Sequence, residues 1–174
     1  MAARRAQRIV KPGRRLAENR ATFGVGPSSG ELYQRDFYSW ARSQAARLRR
    51  LASAGRPGID YANLAEEIDS LGKEQANALR SSFQVLLCHL LKWQHQPSLR
   101  SKDWRNTIRR ERRNIELRLE DNPGLKSKRS ALFARAYRLA RADADDESDL
   151  PVGNFPAECS WTLKQAVADD FWPE

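Results

Sequence analysis

Apolar or packable side chains return every three or four residues from Leu64 to Trp93, through Ile68, Leu71, Gln75, Leu79, Phe83, Leu86 and Leu90. Such steps hold one face of a 3.6-residue helix, and Leu87 and Leu91 widen the stripe in its C-terminal half. The pattern predicts a long helix between Asp60 and Pro97, with that half in the centre of a bundle. Asp60 is placed to cap it, and Glu66 and Glu67 lie in early turns, where the helix dipole favours carboxylates. Pro97 disfavours helical geometry at Gln96 and ends it. Gly72 leaves two arrangements open: one continuous helix, or a short Asp60–Leu71 helix packed beside a Lys73–Gln94 segment.

The flanking segments repeat the helical period. Order is expected to begin near Tyr33. Asp36 is placed to cap a helix whose inward face reads Phe37, Trp40, Ala41, Ala45, Leu48 and Leu51, and Gly55, Pro57 and Gly58 stop it. Ser101 caps an antiparallel segment running to about Glu120, with Trp104, Ile108, Ile115 and Leu119 as its apolar positions. Trp93 and Trp104 flank the turn before it, where they can cover the end of the core. Asp121, Asn122, Pro123 and Gly124 read as a turn, and Leu125, Leu132, Phe133, Ala136, Tyr137 and Ala140 as the stripe of a fifth helix. Ser160 is expected to cap a last helix bearing Leu163, Val167 and Phe171, with Phe171, Trp172 and Pro173 docked on the bundle. With no strand pattern anywhere, the fold class is all-α, a helical bundle around one long central helix.

Length and charge add a tail to this picture. A chain of 174 residues with 40% hydrophobic content suits one domain with a substantial core. No apolar run approaches the ~18 residues a membrane span needs, so a soluble, cytoplasmic protein is expected. Cys88 and Cys159 form no metal or redox spacing and read as reduced packing residues. The net charge of +9 is concentrated in residues 1–30, where Arg4, Arg5, Arg8, Lys11, Arg14, Arg15 and Arg20 face Glu18 alone. That stretch has little apolar content, ends in a Gly/Pro/Ser cluster and shows no repeating face, so it reads as a basic flexible tail ahead of a 31–174 domain. Arg-rich segments attract phosphate by counterion release, which makes weak nucleic-acid binding available to it.

The strings LYQRDFYSWA, NLAEEIDSLG, LLCHLLKWQHQP, SKDWRNTIRRERRNIE, FPAEC and DDFWPE, in that order, resemble a bacterial family catalogued as domain of unknown function 29. The resemblance covers about Glu31 to Glu174, and LLxHLLKWQxQP followed by SxxWxxTI is its most specific part. It implies an all-helical bacterial protein without an established activity, and it supplies no catalytic residues.

Chemistry is therefore read from side chains. Glu67, Glu74 and His89 are the candidates for catalysis, with Glu66 and His95 beside them, because carboxylate and imidazole on bundle helices build metal sites. Spacing opposes a site within the one helix. His89 and His95 are separated by ~9 Å of rise and ~240° of rotation, and Glu67 and His89 by ~33 Å along a straight helix. The plainer reading makes His89 a satisfied core histidine and pairs Glu67 and Glu74 with arginines of a neighbouring helix. The acidic run Asp143, Asp145, Asp146, Glu147, Asp149 lacks the Gly and Glu of a calcium loop. No metal and no cofactor are expected.

Cations offer a second candidate. Arg105, Arg109, Arg112 and Arg113 form a stripe that can follow a phosphate backbone, although Glu111, Glu116 and Glu120 are interspersed and Arg112 is spaced to pair with Glu116. Lys92, Arg100 and Arg105 gather with Trp93, His95 and Trp104 at the turn. Together with Arg109, this is the expected ligand-binding patch. Two classes of function remain: a non-catalytic interaction or regulatory module with a protein partner, or a metal-dependent enzyme acting on phosphodiesters. A third, weaker reading is nucleic-acid binding through the tail.

Overall fold

The computed structural model describes residues 28–150 and 153–174, and the helices within them are α1 (Ser29–Arg35), α2 (Phe37–Ser53), α3 (Tyr61–His95), α4 (Lys102–Asp121), α5 (Arg129–Asp146) and α6 (Leu163–Val167). No strand occurs among the described residues. The basic stretch up to residue 27, with the nucleic-acid reading placed on it, and Pro151 lie outside them.

Helix α3 is continuous over its 35 residues, about 52 Å at 1.5 Å per residue. The helix therefore does not break at Gly72. The glycine marks a close approach, because a Cβ built there would lie 3.3 Å from the Ala41 Cβ of α2. Ala41, Ala45 and Ala65 complete this seam and are fully buried. Small side chains let the two backbones approach, and α2 runs antiparallel along the first half of α3, tied by Arg42 and Arg49 to Asp69.

The second half of α3 carries the core. Leu79, Phe83, Leu86, Leu87, Leu90 and Leu91 are buried against Ile108 and Ile115 of α4 and Phe133, Ala136, Tyr137 and Ala140 of α5. The Phe83 and Phe133 rings meet edge to face at 5.6 Å. Helix α2 begins where α4 ends, and the two junctions cap each other. The Tyr38 N–H donates to Asn122 Oδ1 at 3.0 Å, and the Gly124 N–H donates to Asp36 Oδ2 at 2.7 Å.

Several sequence expectations shift. Order begins ahead of Tyr33, since Ser28 and Glu31 form a capping box at the start of α1. Phe37 and Trp40 are half-buried and pack with Tyr33 of α1. Leu125 belongs to a 3₁₀ turn, Pro123–Ser127, and not to α5. Thr162, not Ser160, caps α6, with Gln165 closing the box, and α6 stops at Val167. Phe171 and Trp172 follow it in irregular chain and dock separately, Phe171 against Trp161 at 6.0 Å and Trp172 against Trp93 at 4.8 Å.

Candidate functional site

Three constellations on this scaffold have chemical content. The first caps the C-terminal end of α3. Trp93 is buried under Trp172, and the guanidinium groups of Arg100 and Arg105 lie 5.2 and 5.7 Å from its ring centre. Arg109 and Arg112 lie 6.0 and 5.2 Å from the centre of Trp172, and Lys92 Nζ lies 4.9 Å from that of Trp104. The structure thus brings together Trp93, Arg100, Trp104, Arg105 and Arg109. His95 is not part of the group, for its ring meets Phe155 edge to face at 5.2 Å.

Three cations of this cap have internal work, Lys92 with Glu147 and the two arginines that follow. Arg100 Nε donates to the Trp93 carbonyl at 2.8 Å, closing the end of α3. Arg112, a member of the stripe considered for phosphate, is buried and forks onto three carbonyls of the C-terminal segment. It donates to Ala166 at 3.0 Å, Asp169 at 3.2 Å and Phe171 at 2.6 Å. Burial pushes its pKa down, against the fields of Asp169 and Asp170. The expected pairing of Arg112 with Glu116 does not form, because those carbonyls occupy the guanidinium.

The second constellation was not foreseen. Gln84, Cys88 and Lys92, spaced by four on α3, face Asp143 of α5 and Glu147 at its C-cap. Gln84 donates to Asp143 at 2.7 Å, and Lys92, only 6% exposed, donates to Glu147 at 2.6 Å. The Cys88 thiol is pushed up to about 12 by burial and the neighbouring Glu147 charge. Asp143, Asp145 and Asp146 of the acidic run lie in the last turns of α5, so most of the run is helix and not loop. The four-residue spacing of Gln84, Cys88 and Lys92 was visible in the sequence, inside an apolar run.

Glu67, Glu74 and His89 do not converge. The continuity of α3 keeps Glu67 and His89 about 33 Å apart. His89 is half-buried, its Nδ1 donates to the Val85 carbonyl at 2.9 Å, and burial lowers its pKa. Glu67 and Glu74 are exposed, and the ion pairs expected of them are made by Glu66 and Asp69. Burial raises the Asp69 pKa, but hydrogen bonds from Lys73, Arg49 and Arg42 outweigh it and leave the carboxyl below its ordinary value. Among the described residues no group of three or more His, Cys, Asp or Glu side chains is arranged to hold a metal.

The third constellation is the outer face of the first half of α3. The stripe from Leu64 to Trp93 is buried from Leu79 onward, the half expected in the centre of the bundle, and its first half is not. Leu64 and Leu71 are 41% and 39% exposed, whereas Asp69 is 3% exposed against α2. The close seam with α2 has room for Ala65, Gly72 and an ion-paired carboxylate, and leucines are left outside. Elsewhere, a groove of about 740 Å³ between α5 and the C-terminal segment is floored by Phe133, Tyr137 and Trp161, with Arg135, Arg138 and Glu158 at its rim.

No helix among the described residues is long and apolar enough to cross a membrane. A comparison with curated proteins returns no match. Among solved structures, an alpha-helical protein of unknown function from Rhodospirillum rubrum ATCC 11170 is similar, with a TM-score of 0.57 and 21% sequence identity. The alignment covers 80% of this chain and 90% of that one, and it shows a shared fold. Residues 32–172 match the family described as domain of unknown function DUF29, and the chain belongs to that family.

Proposed function

We propose that this protein is a non-catalytic helical interaction module whose protein partner seats on the outer face of the first half of α3. One observation carries the reading. A helix that buries Asp69 and Gly72 while presenting Leu64 and Leu71 to solvent has its apolar side turned away from its own fold. Exposed leucines scattered singly need no explanation, but these two are seven residues apart on one face, with half-buried Ile68 between them. Both cysteines are free thiols, which supports a reducing compartment such as the bacterial cytoplasm as the setting of the module.

The cap around Trp93 supports a partner less well, because Arg100 and Arg112 are engaged with backbone carbonyls. The test is a photo-crosslinking residue placed at Leu71 in the full chain in cells. Leu139 on α5, also 39% exposed, is the matched control position. Discrete cross-linked species at Leu71 and not at Leu139 are expected. Equal capture at both positions would reject the surface.

A further inference from the structure

The outer face of α3 is acidic as well as apolar. Asp60, Glu67 and Glu74 recur every seven residues and alternate with Leu64 and Leu71, so steps of four and three hold all five on one stripe. All five are exposed. Around the helix, Glu66 and Asp69 are answered by Arg42, Arg49 and Lys73, whereas Asp60, Glu67 and Glu74 are in no ion pair among the described residues. Helix α2 thus neutralises the inner carboxylates and leaves the outer row charged.

The chain itself carries a segment of opposite character. Residues 1–27 hold Arg4, Arg5, Arg8, Lys11, Arg14, Arg15 and Arg20 against Glu18, with Ile9, Val10, Leu16, Phe23 and Val25 interspersed. The family match spans residues 32–172, so this segment lies outside it. Its point of attachment lies on α2. Gln44 Nε2 donates to the Ser29 hydroxyl at 3.0 Å, and Arg42 and Arg49 on either side of Gln44 both reach Asp69. Gln44 lies about 200° around α2 from Arg42, so the chain enters on a side of α2 other than the one that faces α3. The stripe is about 21 Å long, within the reach of segment 1–27 at roughly 3.3 Å per residue when extended.

We propose that the basic segment 1–27 docks on the Asp60–Glu74 stripe of its own chain and covers the surface that a partner uses. The docking stands on the opposite charge of the two segments and on the length of the basic one. The competition with a partner rests on the function proposed above.

Lys11 is the single lysine of the segment, which makes the contact readable in the full chain. Carbodiimide couples a lysine amine directly to a touching carboxylate. At low ionic strength, in a mixture of isotope-labelled and unlabelled protein, Lys11 is expected to couple to Glu67 or Glu74 of the same copy. Near 0.5 M salt the screening length shortens to about 4 Å, and coupling should fall about threefold or more. Tryptic cleavage between Arg4 and Arg20 gives an independent readout, expected to run roughly three- to tenfold faster in the Glu67→Lys/Glu74→Lys variant at unchanged helicity. Equal cleavage rates, coupling of Lys11 only to other carboxylates, or coupling only between copies would each overturn the proposal. Lys11–Glu67 coupling without partner capture at Leu71 would keep the docking and reject the module. Capture at Leu71 without that coupling would do the reverse.

Discussion

Replacing Arg112 by alanine removes a guanidinium that joins α4 to the C-terminal segment through three carbonyls, those of Ala166, Asp169 and Phe171. Each bond from a charged donor contributes roughly 1–2 kcal/mol net, and the contact with Trp172 adds about 0.5–1 kcal/mol. The sum is capped, because a segment that detaches regains water at its carbonyls. The loss cannot exceed the free energy of docking Trp161–Glu174, so we expect about 3 kcal/mol. For a chain of this size that corresponds to a Tm lower by roughly 6–12 °C. Circular dichroism follows the helices while tryptophan fluorescence follows Trp93 and Trp172, whose rings separate when the segment leaves. Arg112→Lys keeps the charge but loses the planar fork, and it should recover less than half of the loss. A Tm within about 2 °C of wild type for Arg112→Ala, or full recovery in Arg112→Lys, would refute the forked tie.

Asp69→Asn tests the α2–α3 seam. The folded pKa of Asp69 lies below its ordinary value, so its stabilisation is present above about pH 4 and is lost as pH falls through the folded pKa. The variant should lose about 1–2 kcal/mol at pH 7, since Arg42, Arg49 and Lys73 are half-exposed and screened, and should flatten the acid limb of a urea-midpoint profile. Gly72→Val adds methyl groups where even a Cβ meets Ala41 at 3.3 Å, and denaturant unfolding should show a loss of about 1–3 kcal/mol. Gly124→Ala puts a Cβ into the Ser39 hydroxyl and 2.9 Å from Asp36 Oδ2; a similar loss is expected, and a stability equal to wild type would deny the junction its role. Cys88, its thiol pushed up to about 12, should stay unmodified by a thiol reagent at pH 8 until the protein is unfolded. Modification at the rate of an exposed cysteine would contradict its burial.

Features governed by neighbours in sequence were legible. Asp36, Asp60 and Ser101 accept the N–H groups of Ser39, Asn63 and Trp104 as their positions implied, because a cap is made within four residues. Thr162 could have been preferred to Ser160 on the same grounds, since Gln165 stands where a capping box needs it. Arg112 also left a signal, for it falls between Ile108 and Ile115 on the apolar face of α4. Gly72 was not decidable, because a bend and a close approach both use a missing Cβ. The outward turn of Leu64 and Leu71 was illegible for a related reason. Periodicity identifies an apolar face, but the distance to the neighbouring helix decides whether that face or a smaller one is buried.

That choice has consequences for recognition. Had α2 packed on Leu64 and Leu71, the two helices would sit farther apart and Asp69 would lie in solvent, free of its three cations. The observed seam takes the alanines and the ion pair instead, and the leucines stand on a helix whose position is already determined. Continuity of α3 through Gly72 fixes that helix to the core at one end. The reciprocal caps between Asp36 and Gly124, and between Tyr38 and Asn122, fix α2 to the end of α4. A surface held in this way loses little conformational entropy when a partner seats on it, so a modest apolar area flanked by a regular row of carboxylates can bind more tightly than its size implies. The same rigidity favours the basic segment of the chain as a competitor. The segment meets a stripe that needs no rearrangement.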